Sequence, residues 1–269
     1  MSFDEAYFSI GRLDRLSYQD TFIHRLDPRV KVVATMLFVV TVISFSRYEV
    51  FSLVPFLLFP VVLLTLGDLP IWFILKKVLI VSPFAVFVGI FNPLLDTRTA
   101  VVLFGLPLTS GWISFMSILL KFLLTISSAL ILIATTSFPG VCQALRRLGF
   151  PALFVSQLLF LYRYLFVLME ETMKIVRARD LRSFGRRGKE AKVAARIIGA
   201  LFLRTVERAE RIHRAMLSRG FAGEIRVLRF RGSRKEDTLF LFVVAVYLAA
   251  FRFLPVTEWT GRLMQGVVQ

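Results

Sequence analysis

Residues 113–135, ISFMSILLKFLLTISSALILIAT, form an apolar run that a single charge, Lys121, interrupts. An α-helix of about 20 mostly apolar residues crosses the hydrocarbon core of a bilayer. Four other runs approach or reach that length, the first and last only with their flanks: Val30–Phe45, Val50–Leu66, Val78–Leu95 and Leu239–Leu254. The sequence therefore predicts an all-α, polytopic membrane protein with about five transmembrane helices.

The composition supports this class. The chain of 269 residues is 57% hydrophobic and 19% charged, whereas soluble domains average about 25% charged residues. The predicted spans divide it into a cytoplasmic N-terminal segment (1–28), transmembrane helices 1–4 (29–137), a membrane-associated and cytoplasmic helical region (138–236), and the last transmembrane helix with the C-terminus (237–269). Between the third and fourth spans, the alternating run Val101–Leu106 favours a small hairpin.

The first span has a recognisable start at Asp27-Pro28-Arg29. Proline is tolerated in the first turn of a helix, where its missing N–H would have no partner anyway. Aspartate is a preferred N-cap residue because its carboxylate accepts a backbone hydrogen bond. We therefore expect Asp27 to cap a helix that begins at Pro28.

Most of the positive charge of the chain lies in residues 171–236. This stretch holds 19 Lys and Arg against 7 Asp and Glu, and the whole chain carries a net charge of +16. Lys and Arg are enriched in cytoplasmic loops, so the stretch is predicted to be cytoplasmic. The apolar run Phe150–Met169, with Arg163 inside it, would carry the stretch across the membrane if it crossed fully. We therefore expect it to lie in or dip into the cytoplasmic side.

The basic stretch is predicted to be helical. Apolar and small residues recur there at spacings of three and four, which is typical of one helical face; they are Ile198, Phe202, Thr205, Ala209, Ile212 and Met216. Glu207–Arg211 and Glu210–Arg214 are favourable i,i+4 pairs. Gly220 stands where a C-cap glycine would. Two amphipathic helices, each with an arginine near its C-terminal end (Arg179 and Arg219), follow from this pattern.

Three interpretations of the basic stretch remain open on the residues alone. It can hold the loop in the cytoplasm, bind anionic lipid or nucleic acid, or dock on a partner through charge-assisted hydrogen bonds. Nucleic acid is disfavoured because Glu207 and Glu210 interrupt the arginines. A lipid-interacting protein or a membrane-embedded enzyme is the alternative class, and an autonomous secondary transporter is a third.

Motifs for chemistry are absent from the sequence. There is no GxxxxGK[ST], GxGxxG or HExxH pattern, and the two histidines, His24 and His213, are far apart. No His, Cys, Asp or Glu cluster has the spacing of a metal site, and Cys142 is expected to be a small buried hydrophobe. The spans hold few acidic residues, which argues against a proton or ion path. Lys121 and Arg163 are expected to snorkel or to make structural pairs.

Three groups of residues together resemble one family, the transmembrane T component of energy-coupling-factor (ECF) transporters. The first is Leu26-Asp27-Pro28-Arg29-Val30-Lys31. The second is Ala144-Leu145-Arg146-Arg147-Leu148-Gly149-Phe150-Pro151, followed by Tyr162-Arg163-Tyr164. The third is a pair of Ala-Arg-Gly-like motifs, Ala178-Arg179-Asp180 and Ser218-Arg219-Gly220, whose arginines are 40 residues apart.

The resemblance implies a non-catalytic scaffold in a bacterial or archaeal plasma membrane. Such a scaffold binds a dimer of cytosolic ATP-binding-cassette (ABC) ATPases and a substrate-binding S component in the membrane, and leaves room for a small accessory subunit. No cofactor is expected in this chain, since ATP and Mg²⁺ are bound by the partner ATPases. Residues 138–236 would form the coupling-helix region, with the arginine motifs as ATPase contacts and Asp27-Pro28-Arg29 as a structural motif.

Two positions depart from the family pattern. Asp180 stands where the family has glycine, and Ser218 stands where it has alanine. Ser218 keeps the small size that lets a helix end approach its partner, whereas Asp180 does not and could pair with Arg177 or Arg179. Ile10–Arg25 and Ala215–Phe221 are similar to the cobalt-type branch, which implies cobalt or nickel as the substrate; a vitamin such as biotin is the alternative.

Overall fold

The fold is known from a computed structural model that describes residues 16–46, 49–95, 99–103, 106–183, 190–221, 223 and 235–253. Helices dominate, with one two-stranded antiparallel hairpin, β1 (Thr99–Leu103) and β2 (Leu106–Thr109). The helices described are α1 (Phe22–Arg25), α2 (Pro28–Ile43), α3 (Val50–Leu53), α4 (Leu58–Leu66), α5 (Ile71–Gly89), α6 (Phe91–Leu95), α7 (Ser110–Thr135), α8 (Phe138–Arg147), α9 (Ala152–Ser183), α10 (Glu190–Ser218) and α11 (Lys235–Phe253). The predicted all-α class is confirmed, and the hairpin includes the run for which one was predicted.

The chain divides into two compact units. One unit comprises residues 13–141 and 231–269, and the other comprises residues 142–230 together with the N-terminal 12 residues. The first unit contains α1 to α7, the hairpin and α11, whereas the second contains α9 and α10. The division into four segments drawn from the sequence stays a prediction.

Helix α7 is the centre of the first unit, where α2, α4, α5 and α6 contact it. The residues that it buries are mostly small, and seven of the nine recur at spacings of three, four or seven. The nine are Ser110, Gly111, Ser114, Ser117, Leu124, Ser128, Ile131, Ala134 and Thr135, of which Gly111 and Ala134 stand outside the repeat. Small residues let helix backbones approach closely inside a membrane. Helix α5 approaches α7 closely at Gly89, where a Cβ atom would lie only 2.8 Å from the Phe115 ring.

An aromatic cluster fills the core between α2 and the segment that follows it. Phe38 stacks on Phe59 with ring centroids 4.3 Å apart, and Phe56 meets Phe45 edge to face at 5.2 Å. The Tyr247 hydroxyl of α11 donates to the Pro55 carbonyl at 2.8 Å. These contacts join α11 to the N-terminal helices, although some 190 residues separate them in sequence.

The start of α2 is a buried polar junction. The Asp27 carboxylate accepts the Arg29 backbone N–H at 2.9 Å, which confirms the predicted N-cap. The Asp27 backbone N–H in turn donates to Asp237 Oδ1 at 2.8 Å, and Lys31 Nζ donates to the Thr135 carbonyl at 2.8 Å. Asp27, Lys31 and Asp237 are 3–5% exposed. Three helix ends, those of α2, α7 and α11, are therefore joined by one cluster of charges.

A second junction lies at the other end of α2. Lys121 Nζ donates to the Phe45 carbonyl at 2.7 Å, so Lys121 has the structural role expected for it. Arg252 donates to Ser44 Oγ at 3.2 Å, and its guanidinium lies over the Phe45 ring, 4.5 Å from the centroid. Helices α2 and α7 are antiparallel, and a lysine of each one donates a hydrogen bond to a carbonyl at the C-terminal end of the other. The two lysine contacts are about 21 Å apart along the helices.

Two predicted spans have different bounds in the structure. The second, Val50–Leu66, is interrupted, because α3 gives way to a 3₁₀ turn at Pro55–Leu57 before α4 begins. Proline has no N–H to continue the helical ladder, which explains the break. The third begins at Ile71, seven residues before the predicted start, so that Trp72 and the pair Lys76-Lys77 lie within α5 rather than ahead of it.

Three helices among the described residues are long and apolar enough to cross a membrane: Ile71–Pro93, Ser110–Thr135 and Ala152–Arg182. The predicted first and last spans, α2 and α11, contain 16 and 19 residues. Phe150–Met169 was predicted to dip without crossing, but most of it belongs to α9, a helix of 32 residues whose length and composition suit a full crossing. The dipping arrangement stays a prediction.

The lysine at the buried junction can be tested by substitution. Lys31→Met removes a cation that interacts with Asp27 and Asp237, and it removes the Lys31 donor from the Thr135 carbonyl. Breaking a buried ionic contact costs about 3–5 kcal/mol, so we expect a clearly lower midpoint of thermal unfolding in detergent. Lys76→Met, at an exposed position on α5, is the matched control. Equal midpoints for the two variants would contradict the role of the junction.

Candidate interaction site on two long helices

Helices α9 and α10 pack against each other as an antiparallel pair. The rings of Phe160 and Phe221 meet edge to face with centroids 6.1 Å apart, and Arg204 Nη1 lies 2.9 Å from Glu171 Oε1. The contact nearer the start of α9 thus involves Phe221, three residues beyond the end of α10. Both contacts join residues distant in sequence, and the sequence patterns indicated neither.

An apolar groove of about 670 Å³ lies between the two helices. It is lined mainly by aliphatic and aromatic side chains, with Gln157, Arg208 and His213 among its polar members. Part of the predicted helical face lines it, namely Thr205, Ala209, Ile212 and Met216. The other two members of that face, Ile198 and Phe202, are exposed. The predicted face is therefore confirmed for the C-terminal half of α10.

The second arginine motif ends α10 in a hydrogen-bonded cap. Ser218 is the last helical residue, Arg219 follows it, and Gly220 has φ +77°. The Phe221 N–H donates to the Met216 carbonyl and the Gly220 N–H to the Leu217 carbonyl, each at 3.0 Å. This is the Schellman arrangement, which favours glycine because its positive φ is strained for other residues. The predicted C-cap is confirmed, and Arg219 is exposed at it.

The same cap ends α8. Gly149 has φ +102°, the Phe150 N–H donates to the Leu145 carbonyl at 3.2 Å, and the Gly149 N–H donates to the Arg146 carbonyl at 3.3 Å. In both places a Gly-Phe pair follows the helix after one intervening residue, Leu148 or Arg219. The Gly-Phe pair was therefore the available sequence signal for this geometry. At α10, it also placed Phe221 where it meets α9.

The first arginine motif lies within a helix rather than at its end. Ala178, Arg179 and Asp180 belong to the last part of α9, which continues to Ser183. Ala178 and Asp180 are exposed, and Arg179 is half-buried. Asp180 and Arg177 both take part in polar interactions. The prediction that the motif continues the preceding helix near its C-terminal end is confirmed.

The antiparallel packing separates the two arginines. Arg219 lies next to Phe221, which contacts Phe160, whereas Arg179 follows Phe160 by 19 residues on the same helix. At 1.5 Å per residue this corresponds to about 28 Å along α9. The structure therefore presents two separate cationic positions, one near each end of the pair.

One of the two predicted ion pairs along α10 is present. Arg214 Nη2 lies 2.9 Å from Glu210 Oε2, as predicted, with both side chains largely exposed. Such i,i+4 pairs contribute about 0.3–0.5 kcal/mol, so this pair supports the helix without determining its position. The pair Glu207–Arg211 stays a prediction. Arg163 and His213 are exposed on their helices.

The remaining sequence candidates lie elsewhere. Asp27, Pro28 and Arg29 belong to the other unit, where they cap α2. Cys142 is buried, as expected, and burial raises the pKa of its thiol to about 11. A thiol with so high a pKa is almost entirely protonated near neutral pH and a poor nucleophile. Among the described residues, no group of three His, Cys, Asp or Glu side chains is arranged to hold a metal ion.

Comparison with known proteins supplies the family. The model of the family described as CbiQ, cobalt transport protein, matches residues 19–228 and so covers both arginine motifs. The chain belongs to the CbiQ family. The resemblance to T components of ECF transporters found in the sequence is thereby confirmed.

Individual relatives agree with this assignment. The chain is 30% identical over 257 residues to the energy-coupling factor transporter transmembrane protein EcfT of Bacillus selenitireducens, covering 86% of this chain and 92% of that protein. It is 27% identical over 239 residues to an uncharacterized protein of Methanocaldococcus jannaschii, covering 84% and 80%. It is 32% identical over 122 residues to the cobalt transport protein CbiQ of Rhodobacter capsulatus, covering 44% and 50%. The chain is therefore a membrane subunit of a transporter and not a catalytic enzyme.

Gly220, in the cap that ends α10, and Gly199, within α10, provide a test of the cap. Gly220→Ala forces a side chain into a left-handed conformation at a cost of about 1–2 kcal/mol, whereas Gly199→Ala, in mid-helix with open space around it, gains about 1 kcal/mol of helix propensity. We expect faster amide hydrogen exchange at position 220 and at Phe221 in the first variant only, and opposite shifts in the thermal midpoint. Shifts of the same sign would refute the cap.

Proposed function

We propose that this chain is the transmembrane coupling subunit of an ECF-type importer, with Arg179 and Arg219 as its contacts to two partner ABC ATPases. The observation that carries the proposal is the presentation of Arg219 at a capped helix end. An exposed guanidinium on such an end can enter a groove of a soluble protein and donate several charge-assisted hydrogen bonds. The family membership supports the same assignment.

The separation of the two arginines supports two ATPases rather than one. Positions about 28 Å apart along a helix are too distant for one side-chain groove to hold both. Helices α9 and α10 are joined by the Phe160–Phe221 contact and by the Arg204–Glu171 ion pair. A displacement imposed at one arginine is therefore passed to the partner helix through these contacts.

Movement of the partners is the mechanism that we infer. ATP-driven closure of the ATPases shifts the two arginine-bearing helices, and the helices then tilt a substrate-binding S component in the membrane. The apolar groove between α9 and α10 offers this second partner a surface from which water is readily displaced. A small accessory membrane subunit is compatible with the same arrangement.

The chemistry of hydrolysis belongs to the partners in this proposal. The ATPases bind ATP and Mg²⁺, and this chain contributes no cofactor and no reacting group. Its residues bind the partner subunits, transmit displacement and hold the helices around α7 together. Asp27 and Lys31 contribute to this by joining the ends of α2, α7 and α11.

Cobalt is the substrate that we propose, with nickel as the close alternative and a vitamin such as biotin as the more distant one. The description of the matching family and the name of the Rhodobacter capsulatus relative support cobalt. The EcfT relatives carry a name that specifies energy coupling without a metal. We propose the plasma membrane as the location, with the basic stretch 171–236 in the cytoplasm.

Charge reversal at both arginines tests the proposal. Arg179→Glu combined with Arg219→Glu removes both contacts, and losing one partner of a desolvated charge pair costs about 2–5 kcal/mol at each site. We expect co-purification of the ATPases and substrate uptake to be lost, while the amount of chain inserted in the membrane is unchanged.

The matched control is Arg196→Glu combined with Arg211→Glu. Both arginines are exposed on α10, and the change in net charge is the same. Equal loss of ATPase in the two double variants would indicate a diffuse electrostatic effect and would contradict docking. The alternative of a lipid-binding basic patch predicts instead that the purified chain alone binds anionic headgroups and that salt weakens this binding.

A further inference from the structure

Phe221 lies two residues beyond Arg219 and turns back onto α9. The Gly220 cap directs the chain so that the Phe221 ring reaches Phe160 at a centroid distance of 6.1 Å. Both rings are half-buried and both line the groove between α9 and α10. Their edge-to-face packing is one of the arrangements that aromatic pairs prefer.

This contact restrains the end of α10, because the last turn of a helix otherwise frays readily. Arg219 is the residue between the last helical position, Ser218, and the left-handed Gly220. A movement of Phe221 away from Phe160 would therefore change the direction in which Arg219 points. The hydrogen bond from the Phe221 N–H to the Met216 carbonyl couples the ring and the helix end directly.

The two arginines differ in their need for such support. Arg179 lies inside α9, which continues for four more residues, so the helix itself holds it. Arg219 has no further helical residue behind it. The helical backbone holds Arg179 rigidly. For Arg219, the aromatic contact across the groove takes that role.

We propose that Phe221 and Phe160 are positioning residues for Arg219, which rests on the proposed function of Arg219 as an ATPase contact. The ring pair holds the capped end of α10 against α9, so that Arg219 meets its partner in a fixed orientation. Together with the Arg204–Glu171 ion pair, it also links the two helices, so that a displacement of Arg219 moves α9. The effect is local to Arg219 and leaves the contact at Arg179 intact.

Single substitutions with a matched control test this. Phe221→Ala and Phe160→Ala each remove the ring contact, and Phe202→Ala removes an aromatic side chain that is 64% exposed on the same helix as Arg219. We expect the first two to weaken ATPase binding about tenfold, the order expected when an aromatic contact and its burial are lost. Substrate taken up per ATP hydrolysed should fall as well. Phe202→Ala should match the wild type in both measurements.

A double-mutant cycle separates positioning from general stability. In an Arg219→Glu background, Phe221→Ala should weaken ATPase binding no further, whereas with Arg179→Glu the two losses should add. Phe221→Tyr keeps the ring and should restore binding and uptake. Phe221→Leu, which keeps apolar bulk without the ring, covers the case in which the alanine variant does not fold; it should still weaken binding relative to Phe221→Tyr.

The outcomes distinguish this inference from the proposed function. If Arg219→Glu alone leaves ATPase binding unchanged, the proposed function of Arg219 fails and the inference fails with it. If Arg219→Glu weakens binding but Phe221→Ala and Phe221→Leu behave like Phe202→Ala, only the positioning role is overturned. Equal loss from Phe221→Ala in the Arg219→Glu and Arg179→Glu backgrounds would also overturn it.

Discussion

Helix ends place the strictest demand on this protein, because backbone groups in hydrocarbon must find partners within the protein. In the unit around α7, the demand is met by charged side chains from other helices. Lys31 donates to the carbonyl end of α7, and Lys121 donates to the carbonyl that follows α2. Asp27 caps the start of α2 and is itself held by Asp237. In this unit, the contacts that satisfy the helix ends are therefore also contacts that hold the helices together.

The α9–α10 unit satisfies its helix ends differently, through backbone caps that contain a left-handed glycine. Gly149 and Gly220 end their helices by the same backbone arrangement. At α10 this arrangement leaves Arg219 exposed and returns Phe221 to α9. The backbone cap that satisfies the last carbonyls of α10 thereby also sets the position of the Arg219 side chain. The proposed coupling function depends on this coincidence, because force passes only through a helix end that does not fray.

Local sequence patterns predicted the local features well. The N-cap at Asp27, the C-cap at Gly220 and the ion pair Glu210–Arg214 each involve residues that are close in sequence. Local sequence therefore determines their geometry. Contacts between distant segments, such as Phe160 with Phe221, depend on how helices pair, which hydrophobic periodicity does not specify. The third span begins earlier than its apolar run predicts, because α5 includes Lys76 and Lys77 ahead of that run. The interruption of the second span had a visible signal in Pro55.

The central claim is that two separate positions on one helix pair each hold an ATPase. Cross-linking from single cysteines at Ala178 and Ser218, beside the arginines, in a Cys142→Ser chain tests it most directly. Each single-cysteine chain should join to one ATPase, and the chain with both cysteines should join to two, seen as one adduct by mass. A double-cysteine chain that never captures more than one ATPase, or equal capture from a cysteine at exposed Ala195, would contradict the account.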